Sequence, residues 1–227
     1  MKKFLILAGI AGLLLTSCST IKTATRKDLY GGLYAEKPIS VLIMPPINKS
    51  TNVEAKEFFH STLCVPLANA GYYVIPPFLS MEMLKKESAY DAELFLNESV
   101  NKFGDFFGAD VALFTIIHRW DKAPIVAKVY VDIEYILKST KTNEVLFSRY
   151  GHITYDATIQ SNNSGLAGVL ISMAASAINT ALTDQIKIAR TCNIYSLSVL
   201  PSGKYNPNYE LDGDLSGGKK EFSVTLK

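Results

Sequence analysis

Cysteine and histidine have the widest chemical reach of any residues in this chain, and there are only three of each. His60, His118 and His152 stand far apart in sequence. None has a second His four residues on to make a helical zinc pair, and no Cys-x-x-Cys occurs. A Gly-x-Ser-x-Gly elbow for a serine hydrolase is also missing. Gly213 to Lys219 carries the glycine and lysine positions of a phosphate loop, but Lys220 stands where the hydroxyl residue belongs, and Glu221 to Lys227 alternates like a strand instead of opening a helix. The Asn-x-Ser triplets at Asn48, Asn97 and Asn162 matter only in a glycosylating pathway. No catalytic residue, metal ligand set or cofactor is implied, and the reading is non-enzymatic. The chemistry left to assign is that of the thiols of Cys18, Cys64 and Cys192.

Cys18 has the most informative surroundings. Lys2 and Lys3 give a basic start, Phe4 to Leu15 is an uncharged apolar run, and Leu15-Thr16-Ser17-Cys18 closes it. The run is shorter than the roughly 20 residues that cross a bilayer as a helix, so residues 1–17 read as a cleaved signal peptide. The ending resembles the lipobox of bacterial lipoproteins, a leucine and two small residues before a cysteine. That resemblance implies diacylglycerol on Cys18, cleavage before it, and further acylation of the new amine. Two or three chains at about 0.8 kcal/mol per buried CH2 make such an anchor effectively permanent.

Cleavage removes two of the 23 basic side chains, leaving 21 against 21 acidic ones in a formally neutral mature chain. That balance gives no electrostatic case for nucleic acid. With Cys18 lipidated, Cys64 and Cys192 remain in a compartment where disulfides persist. They form either a bond closing a loop of about 128 residues or two buried thiols that behave as small hydrophobes.

The elements that would carry these residues read as follows. Residues 18–37 are polar and serve as a lipidated tether. A single α/β domain covers 38–211, with a central mixed sheet of about five strands, a parallel core plus an antiparallel hairpin, flanked by helices. Ile39 to Met44 is a buried strand stopped by Pro45-Pro46. A capping box at Thr51 and Glu54 opens a helix to about Ala70. Tyr72 to Ile75 is a second strand, 79–107 is helical in two pieces, and Val111 to Ile117 is the central strand. From Ala127 the period is two, with Val129, Val131, Ile133, Tyr135 and Leu137 on a dry face and Lys128, Tyr130, Asp132 and Glu134 on a wet one. Val145 to Tyr155 returns as its antiparallel partner. Gly165 opens a helix to about Arg190, along which Gly168, Ser172, Ser176 and Thr180 make a stripe of small side chains. This stripe packs either on the chain's own sheet or on a second copy. From Asn193 the chain runs along the surface, and residues 212–227 form a C-terminal tail, mobile over 212–220.

Two loops stand out. Asn48 and Ser50 lie where the first strand meets the first helix, the end of an α/β sheet at which ligands bind. Trp120 follows the central strand, either as a partner-contact residue or as a plug over the core.

Several segments together resemble one family. They are the lipobox, Lys37-Pro38-x-Ser40-Val41 leading to Pro45-Pro46-x-Asn48-x-Ser50, Pro66-Leu67-Ala68 with Gly71-Tyr72-Tyr73-Val74, Gly108-Ala109-Asp110 before a strand and Trp120, the helix start at Gly165 to Gly168, and Pro201-x-Gly203-x-Tyr205-x-Pro207. Their order is similar to that in the bacterial lipoproteins that include a genome-derived neisserial antigen (domain of unknown function 799). The resemblance implies a domain like the amino-terminal domain of TolB, an outer-membrane address on the periplasmic face, and a homo-oligomeric accessory in assembly, secretion or transport. It also implies a lipoprotein similar to the curli secretion channel subunit as a partner. The alternative it leaves open is regulation of peptidoglycan synthesis, with an envelope hydrolase third.

Overall fold

The computed structural model describes residues 24–157 and 184–227. A central mixed sheet flanked by helices organises the chain, with seven strands where about five were expected. They are β1 (Ser40–Ile43), β2 (Ile47–Asn48), β3 (Tyr73–Val74), β4 (Val111–Ala123), β5 (Lys128–Ser139), β6 (Val145–Asp156) and β7 (Glu221–Leu226). Their order is β3-β1-β4-β5-β6-β7, and β2 also pairs with β4. β1 runs parallel to β3 and β4, and the β4–β5–β6 meander is antiparallel.

Pro45 and Pro46 interrupt the first strand without ending it. β2 resumes beyond them along the same side of β4, because residues without an N–H can sit only at a break in the ladder. The central strand runs past Ile117 to Ala123, so Trp120 lies within β4 and not in a loop.

The described helices are α1 (Arg26–Leu29), α2 (Gly31–Glu36), α3 (Ala55–Asn69), α4 (Pro77–Lys86), α5 (Asn101–Phe107) and α6 (Gln185–Leu197). One sheet face, built from Val41, Ile43, Leu113, Ile117 and the dry face of β5, is covered by Phe59, Leu63 and Leu67 of α3 and Ile188, Ala189 and Cys192 of α6. On the other face Leu42, Met44, Ala112, Phe114 and Ile116 pack under Leu84 of α4 and Phe103 of α5. Burying a large aliphatic side chain in such layers contributes about 1.5–3 kcal/mol.

Several expectations need correction. The stretch expected as tether is folded from Thr25 onward. Tyr30, at the junction of α1 and α2, and Leu33 on α2 are buried in the core, Tyr30 with its ring 4.8 Å from that of Phe147. A capping box forms at Thr25 and Asp28. At Thr51 and Glu54 none forms: α3 opens at Ala55 without a side-chain cap, and Asn52 Oδ1 accepts the Glu54 N–H instead.

The C-terminal tail is likewise structural. Asp212 is buried on Arg26 at 2.6 Å, and β7 adds to β6 in parallel. Gly151 permits this pairing, because a Cβ there would meet the Phe222 ring at 2.6 Å. The last helix reaches Leu197, and Asn193 is fully buried rather than on the surface. The stripe of Gly168, Ser172, Ser176 and Thr180 and the lipid position Cys18 lie outside the described residues.

Candidate functional site: a polar sheet face

Among the described residues, the second helical layer packs on the part of this face built from β1 and the first half of β4. Beyond Ile116 and Ile136, the sheet surface formed by β4, β5, β6 and β7 carries Tyr130, Asp132 and Glu134 from the wet face of β5, with Tyr150, His152 and Thr154 opposite them on β6. Glu221, Ser223 and Thr225 extend it across β7.

A bulge in β4 completes the surface. The register with β5 slips between Ile117 and Arg119, so that Ile117 faces Ile133 and Arg119 faces Asp132. The extra residue is His118, whose Nε2 lies 3.0 Å from Glu134 Oε2. Insertion of one residue re-aims a side chain in this way. The Tyr150 ring lies between the two imidazoles, 5.1 Å from His118 and 4.9 Å from His152. His152 reaches Asp132 through Nδ1 at 2.9 Å and Glu221 through Nε2 at 3.3 Å. The hydrogen bond to Asp132 raises the His152 pKa; desolvation opposes it, and the hydrogen bond to Glu221 adds to the rise. Burial, with Asp132, Glu134 and Glu221 nearby, raises that of Tyr150.

Arg119 sits over the Tyr130 ring at 5.0 Å and pairs with Asp121 at 2.6 Å. Arg119, Tyr130, Asp132, His152, Thr154 and Ser223 line an open groove of about 420 Å³. Both imidazoles hydrogen-bond to carboxylates. Among the described residues no group of three or more His, Cys, Asp and Glu side chains is placed to hold a metal ion. Such a surface offers hydrogen bonds and ring edges to something laid across it.

The residues picked from sequence go elsewhere. Asn48 Oδ1 accepts from Ser50 N and Oγ, and its Nδ2 donates to Asn52 O at 2.7 Å, so this pair holds its own turn together. Trp120 is 2% exposed and packs on Phe58 and edge-on to Phe59, a plug and not a contact. Cys64 and Cys192 are both free thiols, which corrects the disulfide alternative. Cys192 faces the core, and burial pushes its thiol up to about 12. Cys64 lies on α3 at the margin of the buried stripe, partly exposed. His60 lies half-buried on α3, where burial lowers its pKa. His118 and His152, isolated in sequence, are the two that the sheet brings together. The alternation along β5 marked the wet face in advance, but only the register shows which residues from other strands join it.

A central mixed sheet flanked by helices, with a polar groove on one face, defines the class as an α/β domain. Comparison with known sequences makes this particular. A family model described as "Putative lipoprotein GNA1162-like" matches residues 29–204, and the chain belongs to that family. A relative from Neisseria meningitidis serogroup B, "Putative lipoprotein NMB1124/NMB1162", is 26% identical over 182 residues, covering 79% of this chain and 83% of the relative. The crystal structure of lipoprotein GNA1162 from Neisseria meningitidis is similar with a TM-score of 0.48 at 24% identity, over 65% of this chain and all of that one. The LpoB C-terminal domain from Salmonella enterica gives a TM-score of 0.36 at 19% identity, covering 56% of this chain and 93% of that domain.

Proposed function

We propose that this protein is a non-enzymatic, lipid-anchored envelope protein that acts through protein–protein contacts, as a scaffold or accessory in outer-membrane assembly, secretion or transport. The observation that carries this reading is the polar sheet face centred on His118, Tyr150 and His152, where imidazoles, carboxylates and a tyrosine ring border an open groove. Membership of a lipoprotein family and the Leu15-Thr16-Ser17-Cys18 ending support the anchor on Cys18. Ser19, where many lipoproteins held at the inner membrane carry aspartate, supports the outer membrane and its periplasmic side.

The test is in-cell crosslinking from a photoreactive residue at Tyr150, with Ile125 at the β4–β5 tip as control. Envelope lipoproteins of the secretion-channel kind recovered from position 150 and absent from position 125 are the expected result. Recovery of cell-wall synthases from position 150 moves the function to regulation of peptidoglycan synthesis. Identical products from both positions overturn the role of this face.

A further inference from the structure

Where the chain enters the fold fixes which end of the domain lies nearest its anchor. Ala24 O accepts the Gly217 N–H, Thr25 bridges Ser216, and Arg26 Nη2 donates to Ser198 O just past α6. This entry lies at the end of the sheet where β5 finishes, since Glu36 at the close of α2 accepts from Ser139. Six peptide steps separate Cys18 from Ala24 (24 minus 18), so the lipidated residue lies within about 21 Å of the entry point. The far end is much more remote: β5 has 12 residues, about 40 Å of strand, and beyond its start the β4–β5 tip exposes Ile125 completely.

Around the entry point, apolar side chains stand in solvent. The segment that clasps α1, with Arg26 N donating to Leu215 O and Lys27 N to Gly213 O, carries Leu211 at 78% and Leu215 at 54% exposure. Half-exposed Ile194 of α6 lines the same shallow recess as Leu215 and Arg26. Isolated exposed leucines are ordinary on a protein surface. These differ in flanking the one point that the short tether holds beside acyl chains.

We infer that Leu211, Leu215 and Ile194 form a membrane-contact surface that dips into the lipid to which Cys18 is attached. The domain then stands on the α1 end with the β4–β5 tip directed away. The inference rests on the lipid anchor proposed above and deepens it: the acyl chains supply attachment, and these side chains supply orientation. In that orientation the His118–Tyr150–His152 face is turned sideways, open to a partner beside the domain.

The experiment uses purified lipidated protein in vesicles of phosphatidylethanolamine and phosphatidylglycerol carrying brominated acyl chains. A bimane label is placed at Leu215→Cys, Leu211→Cys or Ile125→Cys in a Cys64→Ala background, with circular dichroism confirming the fold of each. The expected result is at least about a twofold loss of emission at 215 and 211, as for side chains ~5–10 Å into the headgroup–acyl boundary, with no loss at 125. Protein that floats with the vesicles but shows quenching at 125, or none at 215 and 211, overturns the inference while leaving the anchor intact. Protein that neither floats nor carries added mass on Cys18 overturns the anchor itself, and the inference with it.

Discussion

Asn193 and Tyr135 offer the sharpest test of how this core is specified. Both are fully buried, and the Tyr135 hydroxyl donates to Asn193 Oδ1 at 2.6 Å. Asn193 Nδ2 donates in turn to Phe59 O at 3.1 Å and Thr62 Oγ1 at 2.8 Å, so one amide joins β5, α3 and α6. Asn193→Leu keeps the branching and heavy-atom count of the side chain and removes the acceptor. Thr62 retains its bond to Phe58 O at 2.7 Å, so the orphaned group that matters is the tyrosine hydroxyl. Leaving it buried and unpaired costs about 1–3 kcal/mol. With a urea slope of about 2 kcal/mol/M, the denaturation midpoint should fall by about 0.5–1.5 M. Tyr135→Phe alone strands the amide oxygen and should cost about as much. The double variant removes both partners, and it should cost about what one single does, giving a coupling of about 1–3 kcal/mol in the cycle. Single effects that add to within about 0.5 kcal/mol would refute the network.

Four further outcomes are expected. Gly151→Ala should destabilise by about 1–3 kcal/mol, because its Cβ would meet Phe222 at 2.6 Å, and amide exchange should rise along β7 first. Asp212→Asn, by breaking the pair between buried Asp212 and part-buried Arg26, should cost about 1.5–3 kcal/mol in thermal or denaturant unfolding. Burial alone would raise the Asp212 pKa, but donors from Ser202, Tyr34 and Arg26 outweigh it and lower the value. Its stabilisation is therefore complete above the unfolded value of about 3.9 and lost as pH falls through the folded one; a wild-type acid-unfolding curve that coincides with that of the variant would contradict this. His152 has a raised pKa, so its contribution is complete below about pH 6.5 and lost as pH rises through the folded value; NMR titration should show the elevation and its collapse in Asp132→Asn. Finally, with no reductant present, Cys64 should react with a thiol reagent in the native state and Cys192 only after denaturation, because both are free and Cys192 is sealed in the core.

Local sequence determined what local physics controls. The period-two stretch from Val129 to Leu137 could bury only one face of a strand, the apolar run Val111 to Ile117 had to lie inside a sheet, and the proline pair had to break the first strand. The signal and lipobox ending were equally legible, since they are read by length, charge and residue type alone. Tertiary structure decided everything that required two distant segments to meet. Tyr30 and Leu33 lie at and just past the junction of two helices too short to show a period, so their burial follows only from the surface that Phe147 and its neighbours present. Asp212 looked like part of a polar tail until Arg26 came to it. His118 and His152, 34 residues apart (152 minus 118) and unrelated in sequence, share a face because a one-residue bulge and an antiparallel register put them there. Periodicity tells each side chain which way to face, whereas register, which tells it what to face, is set by pairing across the whole sheet.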